Sequence, residues 1–593
     1  MESIVVFDFG SQYCHLIANR IRRLGVFSRI VDPSISLSEV SDAKGFILSG
    51  GPASVYDERA PTLNPEILAS GKPILGICYG HQLLMHLCGG DVRKAPTHEF
   101  GISLLSAKPV GLFEGVPSSS KVWMSHGDHV ARLPDGFECI ASTPDCPIAA
   151  VVDPKRRIFG LQFHPEVSHT ENGMKIFDNF LRFCGCAREW DMSRFLQEKI
   201  VQIRRQAGSK NVFMLASGGV DSTVCLSLLV RALGPDRVRA LHVDTGFMRQ
   251  NESAQVLQAL RAQGFEHLQV EDASDYFFEK LAGVTDPEQK RKIIGNAFLE
   301  VQRRVFDRLN LDEDEWLLGQ GTIYPDTIES GGTKNAQIIK THHNRVELVQ
   351  RLLAQGKVIE PLDQLYKDEV RELGKKLGLP AELVERHPFP GPGLAIRMLC
   401  SDRSEKPVLS DVAARVQSIA SAAGLESVVL PIKSVGVQGD NRTFAHPAVL
   451  SGPADWEALE HVSTRITNEV REINRVLWQC AGEVTTRTRP ALLSRERTQL
   501  LAKADELVQD TLRGKGLYDS VWQFPVVLVP LGPGNKETIV LRPVCSTDAM
   551  TVQFARLPLA FVQDVSRQLM ALDGIGCVLY DVTNKPPGTI EWE

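Results

Sequence analysis

The chain has 593 residues, 43% of them apolar and 23% charged, and 66 basic against 72 acidic side chains leave a net charge of −6. That length allows about three to five domains, and the composition excludes a disordered, collagen-like or disulfide-scaffold protein. The mild acidic balance argues against a broad nucleic-acid surface, and no apolar run approaches the roughly 18 residues of a membrane span. Met1-Glu2-Ser3 runs straight into Ile4–Phe7 without the basic and apolar regions of a signal peptide. Twelve scattered cysteines with no CxxC pair fit reduced thiols, so the expected location is cytoplasmic.

In chain order, Ile4–Phe7, Gly45–Leu48, Pro73–Ile77 and Ile158–Phe163 read as buried strands, with a helix over Leu16–Leu24. Alternating strands and helices predict a doubly wound, mostly parallel α/β sheet with its site at the carboxyl ends of the strands. A helix near Ser193–Arg205 leads to a second such unit, with strands Val212–Leu215, Val238–Val243 and Trp316–Leu318 and a helix over Thr223–Leu233. The proline- and glycine-rich stretch His387–Gly393 cannot be regular helix and closes that unit. Beyond it, helices over Val412–Ala422, Trp456–Cys480 and Leu500–Leu512 and strands Val526–Val529, Thr538–Leu541 and Cys577–Tyr580 predict an α+β region. The expected domains are 1–190, 191–400 and 401–593.

Three strings carry chemistry. Gly76-Ile77-Cys78-Tyr79-Gly80 lies where a strand meets a helical run, Gln82–Leu87, which is the layout of a nucleophile elbow. Helix N-termini favour thiolates, and their free N–H groups can stabilise an oxyanion. His164 is a candidate base, and Glu166, two residues on, can orient it. Next, Ser217-Gly218-Gly219-Val220-Asp221-Ser222 follows a strand and opens a helix, so its backbone can approach phosphate closely. It lacks the Lys-Ser/Thr ending of a Walker loop, and Asp221 can act through Mg²⁺. Ser125-His126-Gly127-Asp128-His129 reads as a polar loop; the spacing of His126, Asp128 and His129 matches no standard metal motif.

The first string, with His164-Pro165-Glu166 and Gly50-Gly51-Pro52, resembles the class I glutamine amidotransferases. That resemblance implies Cys78 as nucleophile, His164 as acid/base, Glu166 as its orienter, Gly51 and Tyr79 as oxyanion donors and Gln82 as a glutamine contact. The second string resembles the loop of the N-type ATP-pyrophosphatases. With it go Asp244 in His242–Gly246, Gln320 and Gly321 in Gly319–Asp326, and Lys340 in Ile339–Asn344 as expected ATP contacts, with Asp221 as the metal residue. The His387–Gly393 stretch, the string Gly436–Arg442 and the tail Lys585–Glu593 extend the likeness to the glutamine-hydrolysing GMP synthases. Residues expected at xanthosine 5′-monophosphate (XMP) are Arg291, Gly391, Arg442, Gln523, Lys585, Ile590 and Glu591.

This resemblance implies a ligase that uses glutamine, ATP with Mg²⁺, and XMP, acting as a monomer or homodimer, with no nucleic-acid or membrane partner. The chain departs from the family at Arg345–Val349, and it is longer within Val476–Gln523, where Arg487, Arg489, Arg495 and Arg497 predict a solvated helix face. The alternatives are another glutamine-dependent ATP-pyrophosphatase ligase, such as an NAD synthetase, or a non-catalytic scaffold.

Overall fold

The computed structural model describes residues 2–11, 13–265, 267–309, 314–329, 352, 354–402, 408–438, 441–453, 455–546 and 552–593. They fall into two compact units. The first comprises the described residues of Met1–Gln202, Gly321–Arg351 and Glu360–Lys376, and the second those of Ile203–Gln320, Leu352–Ile359 and Leu377–Glu593. No helix among the described residues is long and apolar enough to cross a membrane.

The first unit is built on a nine-stranded sheet. Its strands are β1 (Ser3–Phe7), β2 (Phe27–Val31), β3 (Ala43–Leu48), β4 (Ile74–Ile77), β5 (Asp91–Ala107), β6 (Ser119–Arg132), β7 (Glu138–Ser142), β8 (Ala150–Asp153) and β9 (Ile158–Leu161). The order is β2-β1-β3-β4-β9-β8-β7-β5-β6. The five strands from β2 to β9 are parallel neighbours. From Ile4 to Phe7 β1 is apolar because both its faces are covered: Ile4 and Val6 enter one core cluster, Val5 and Phe7 the other. The remaining four strands join antiparallel. The predicted loop Ser125–His129 is therefore corrected: it lies inside β6, which alternates buried and less buried residues as a one-sided antiparallel strand does.

The second unit holds two further sheets. β10 (Asn211–Leu215), β11 (Val238–Asp244), β12 (Leu268–Asp272), β13 (Trp316–Gly319) and β14 (Val358–Ile359) pair in parallel in the order β12-β11-β10-β13-β14. The strand order reverses at β10, so the loop after β10 stands at a topological switch point, where such sheets bind ligands. The other sheet uses β15 (Glu426–Val429), β16 (Ser434–Gln438), β17 (Asn441–Ser451), β18 (Ile473–Gly482), β19 (Val526–Val529), β20 (Glu537–Leu541) and, after a ribbon of β21 (Val544–Cys545) and β22 (Gln553–Phe554), β23 (Ile575–Asp581). Its order is β15-β17-β18-β23-β20-β19, with β16 on β17, and it mixes parallel and antiparallel pairs.

Two expectations for this region are overturned. The helix expected over Trp456–Cys480 ends at Glu469, and Ile473–Gly482 is strand β18. Val470, Ile473 and Leu477 keep a helical spacing, but β18 lies between β17 and β23, where an apolar strand is required. The arginines of 487–497 do not form one solvated face either. Arg497 is buried and pairs with Glu537 at 2.7 Å, Arg489 pairs with the same carboxylate, and Arg495 stays half-exposed. The helix Arg495–Gly514 starts at Ser494, whose side chain accepts from the Arg497 N–H, a cap of about 1 kcal/mol. That anchor turns Arg497 inward.

Candidate active sites

Cys78 is the N-cap of the helix Tyr79–Leu87 and has φ 52°, ψ −108°. A positive φ in a non-glycine residue marks a strained backbone held by its surroundings. Here the Cys78 N–H donates to the Leu161 carbonyl of β9 at 2.7 Å, and the Gly80 N–H to the Ser49 carbonyl at 3.1 Å. The flanking glycines follow from contact. A Cβ on Gly76 would meet the Gly80 carbonyl oxygen at 2.5 Å, and one on Gly80 would meet the Leu48 carbonyl oxygen at 2.4 Å. Gly51 is equally constrained, 2.5 Å from the Phe9 carbonyl oxygen by the same measure.

The elbow and His164 meet at Gly50. A Cβ there would lie 3.2 Å from His164 Cε1 and 3.6 Å from Cys78 Cβ. His164 Nδ1 is 2.7 Å from Oε1 of the fully buried Glu166, and the main chain of His164 is tied to Trp123 of β6 and to Thr170. Burial opposes a charge on this ring, but Glu166 and Cys78 outweigh it and lift its pKa to about 10. Tyr79 and Gln82 follow on the helix. Gln82 is buried, and its amide donates to the Asp128 carbonyl at 2.8 Å and to Gln162 at 3.2 Å, so it braces β6 against the elbow.

Within β6, His126 bonds the Asp128 carbonyl and Glu99, and the Asp128 carboxylate accepts from Tyr56 at 2.7 Å and from Ser54. These bonds tie β6 to β5 through Glu99 and to the loop that carries Ser54 and Tyr56. Glu99 lies in the long strand β5, where no local pattern singled it out. His81, beneath the elbow, is fully buried; burial and His126 keep its ring neutral, with a pKa down to about 3.

In the second unit, Ser217–Ser222 joins β10 to the helix Val220–Leu233. Gly218 has φ 77°, and a Cβ on it would strike Val256 at 2.6 Å. Ser217 and Ser222 hydroxyls are 3.0 Å apart, and Asp221 lies in the first helical turn. Asp244 ends β11 and accepts from the Gly246 N–H at 2.8 Å. Gln320 follows β13, its N–H bonded to Ile359 of β14, and Gly321 is next in sequence. Lys340 and its string Ile339–Asn344 lie outside the described residues, as does the departure at Arg345–Val349.

The residues expected at XMP form two groups and three single positions. Gln523 Nε2 donates to Glu591 Oε1 at 3.3 Å. Arg291 and Arg442 share Glu288, at 3.1 and 2.8 Å, and Arg291 also bonds the Glu593 carbonyl. Lys585 pairs through its backbone with Val552, while Gly391 is exposed in its loop and Ile590 is half-buried. Three residues escaped sequence reading: buried Arg397, which clasps Glu591 at 2.8 and 3.0 Å, buried Asp505, and partly buried Arg249, 3.2 Å from Asp505. Each sits in an ordinary-looking stretch, and only the fold gives it a charged neighbour.

The sequence profile described as glutamine amidotransferase class-I matches residues 5–183, and that described as GMP synthase C terminal domain matches 416–486 and 510–592. Asp505 falls between the two matched stretches. A Leptospira interrogans protein named "Probable GMP synthase (glutamine-hydrolyzing)" is 46% identical over 610 aligned positions, covering 100% of this chain and 99% of its own. A Staphylococcus carnosus protein named "GMP synthase (glutamine-hydrolyzing)" is 46% identical over 506 positions, covering 81% of this chain and 97% of its own.

Proposed function

The chain belongs to the glutamine-hydrolysing GMP synthases, and we propose that it carries out their ATP-dependent amination of XMP with the residues assembled above. The observation that carries the glutamine half is Cys78, held at positive φ on a strand-to-helix elbow beside the His164–Glu166 pair.

The Cys78 sulfur attacks the side-chain amide carbon of glutamine. The carbonyl oxygen gains negative charge that the amides of Gly51 and Tyr79 stabilise. His164, its proton held by Glu166, protonates the departing nitrogen, and ammonia leaves. Water then gives a proton to His164 and attacks the thioester, releasing glutamate and freeing the Cys78 sulfur, so that sulfur and ring return to their starting state. Gln82 keeps β6 and the elbow in register for glutamine.

In the synthetase half, Ser217, Gly218, Gly219, Val220 and Ser222 cradle the phosphates of ATP at the helix N-terminus, with Asp244, Gln320, Gly321 and Lys340 completing the nucleotide site. Asp221 offers a hard oxygen ligand beside two serine hydroxyls, a donor set that suits Mg²⁺; bound there with ATP, the ion would neutralise phosphate charge. Arg291, Arg442 and Lys585 supply the cations that a 5′-phosphate requires. Gly391, Gln523, Ile590 and Glu591 hold the purine. The 2-oxo oxygen of xanthine attacks the α-phosphorus, pyrophosphate leaves, and ammonia then displaces AMP from C2 to give GMP. The domains are proposed as 1–190, 191–400 and 401–593, the location as cytoplasmic and the assembly as a monomer or homodimer.

The test follows pyrophosphate release with ATP, XMP and either glutamine or ammonium. Cys78→Ala removes the glutamine-driven rate and keeps the ammonium-driven one. Loss of both in a folded variant would sink the two-site assignment.

A further inference from the structure

Glu591 is not held by its own segment alone. Fully buried Arg397 clasps it with Nε and Nη2, and Arg397 Nη1 lies 3.8 Å from Oδ1 of Asp505. Asp505 Oδ2 lies 3.2 Å from Nε of Arg249. The backbone N–H of Arg249 donates to Glu252 Oε2 at 3.0 Å, and Glu252 Oε1 receives Arg386 Nη2 at 2.5 Å. Arg386 Nη1 in turn donates to the carbonyl of Gly218, in the Ser217–Ser222 loop, at 2.9 Å. A line of alternating charges therefore runs from that loop to Glu591, three cations against three anions.

Asp505 is the middle link and is 1% exposed. It separates two guanidiniums that also share the ring of Phe389, at 4.5 Å for Arg249 and 5.1 Å for Arg397. Without its charge those two cations would face each other in a buried site. Its two joints also differ in kind from the rest. Neither Asp505 oxygen has a hydrogen-bond donor in line among the described residues, so charge alone holds it, whereas every other joint is a directional hydrogen bond of 2.5 to 3.0 Å. Such a joint can slide without breaking a hydrogen bond, and it is where a shift at one end of the line can be absorbed or passed on.

We propose that Asp505 is a positioning residue of the synthetase reaction, coupling the Ser217–Ser222 loop to Glu591 so that nucleotide on the loop sets the carboxylate that receives the purine. This rests on the assignment of the loop to ATP and of Glu591 to XMP. A phosphate that accepts from the loop's N–H groups shifts the peptide whose Gly218 carbonyl Arg386 holds, and the line of charges and hydrogen bonds carries that displacement to Arg397 and Glu591. Coupling between two ligands is reciprocal in binding, so it can be read from either side.

The experiment measures the dissociation constant of XMP on the full chain by calorimetry, with and without a non-cleavable α,β-methylene ATP analogue. In the natural protein the analogue tightens XMP binding by about fivefold or more, the usual range for coupled sites. In Asp505→Asn, which keeps shape and removes charge, the ratio falls toward one, and Asp505→Glu restores it in part. A residue that only supports the fold would lower the melting temperature and leave the ratio unchanged; that result, or a ratio of one in the natural protein, overturns the proposal. If Asp505→Asn does not fold, Glu252→Gln breaks the next joint and must lose the coupling instead. The site assignment is checked separately by Glu591→Ala, which must weaken XMP binding when no nucleotide is present.

Discussion

At the scale of single residues, the site turns on one proton. His164 keeps it to about 10 because Glu166 and Cys78 outweigh the cost of burial. The unfolded ring titrates near 6.5, so the folded ring binds the proton more tightly. Its contribution to stability is therefore complete below about pH 6.5 and is lost as pH rises toward about 10. In the proposed mechanism the same proton serves the leaving ammonia, so glutamine hydrolysis should fall along an alkaline limb near that value. Glu166→Gln removes the neighbouring negative charge and should move the limb down by about one to three pH units, with a lower plateau rate. A pH–rate profile of glutamate release checks this, and an unmoved limb would show that Glu166 does not hold the ring. Cys78, His164 and Glu166, which the fold brings together, could be singled out because they sit in short strings. Arg397, Arg249 and Asp505 could not, since a charged residue carries no local sign that it will pack against a charge far along the chain.

At the scale of elements, the elbow is a packing problem solved with glycine. The Gly80 backbone lies so close to Leu48 that a methyl would sit 2.4 Å from its carbonyl oxygen, and β3 cannot retreat because it pairs on both sides with β1 and β4. Gly80→Ala should cost about 1–3 kcal/mol of stability, as overpacking does, and should depress glutamine hydrolysis by displacing the Cys78 turn. Chemical denaturation and a glutaminase assay measure the two effects. The parallel strands β1, β3, β4, β10 and β11 were readable because strands covered on both faces are continuous apolar runs. β5 and β6 were not, because their half-exposed residues and polar strings resemble loops. β18 failed for the opposite reason. Its apolar residues continue the spacing of the helix before it, and only its place between β17 and β23 makes it a strand.

At the scale of the second unit, the last residues act as a strap. Trp592 is fully buried, donates to Asp581 of β23 at 3.1 Å, and accepts through its carbonyl from the Val435 N–H of β16. Glu593 reaches the helix Pro287–Arg308, pairing with Lys290 at 2.7 Å in a buried contact 303 positions apart in sequence. The sequence announces a docked tail through its prolines and tryptophan; its partners are too distant in the chain for any pattern to name. The net charge of −6 conceals the same feature, since Arg397, Arg475 and Arg542 are fully buried among acids. Trp592→Ala should cost about 3–5 kcal/mol, the range for a buried Trp. Glu593→Ala should be comparably severe, because among the described residues it leaves the buried Lys290 charge with only the Met398 carbonyl for a partner. Deleting Lys585–Glu593 removes the strap together with Glu591. It should abolish XMP amination whether glutamine or ammonium is the donor, because the loss lies downstream of ammonia. Pyrophosphate release measured with both donors decides it: amination that survives the deletion with ammonium would mean that the tail neither holds the purine nor fixes the helix that carries Arg291.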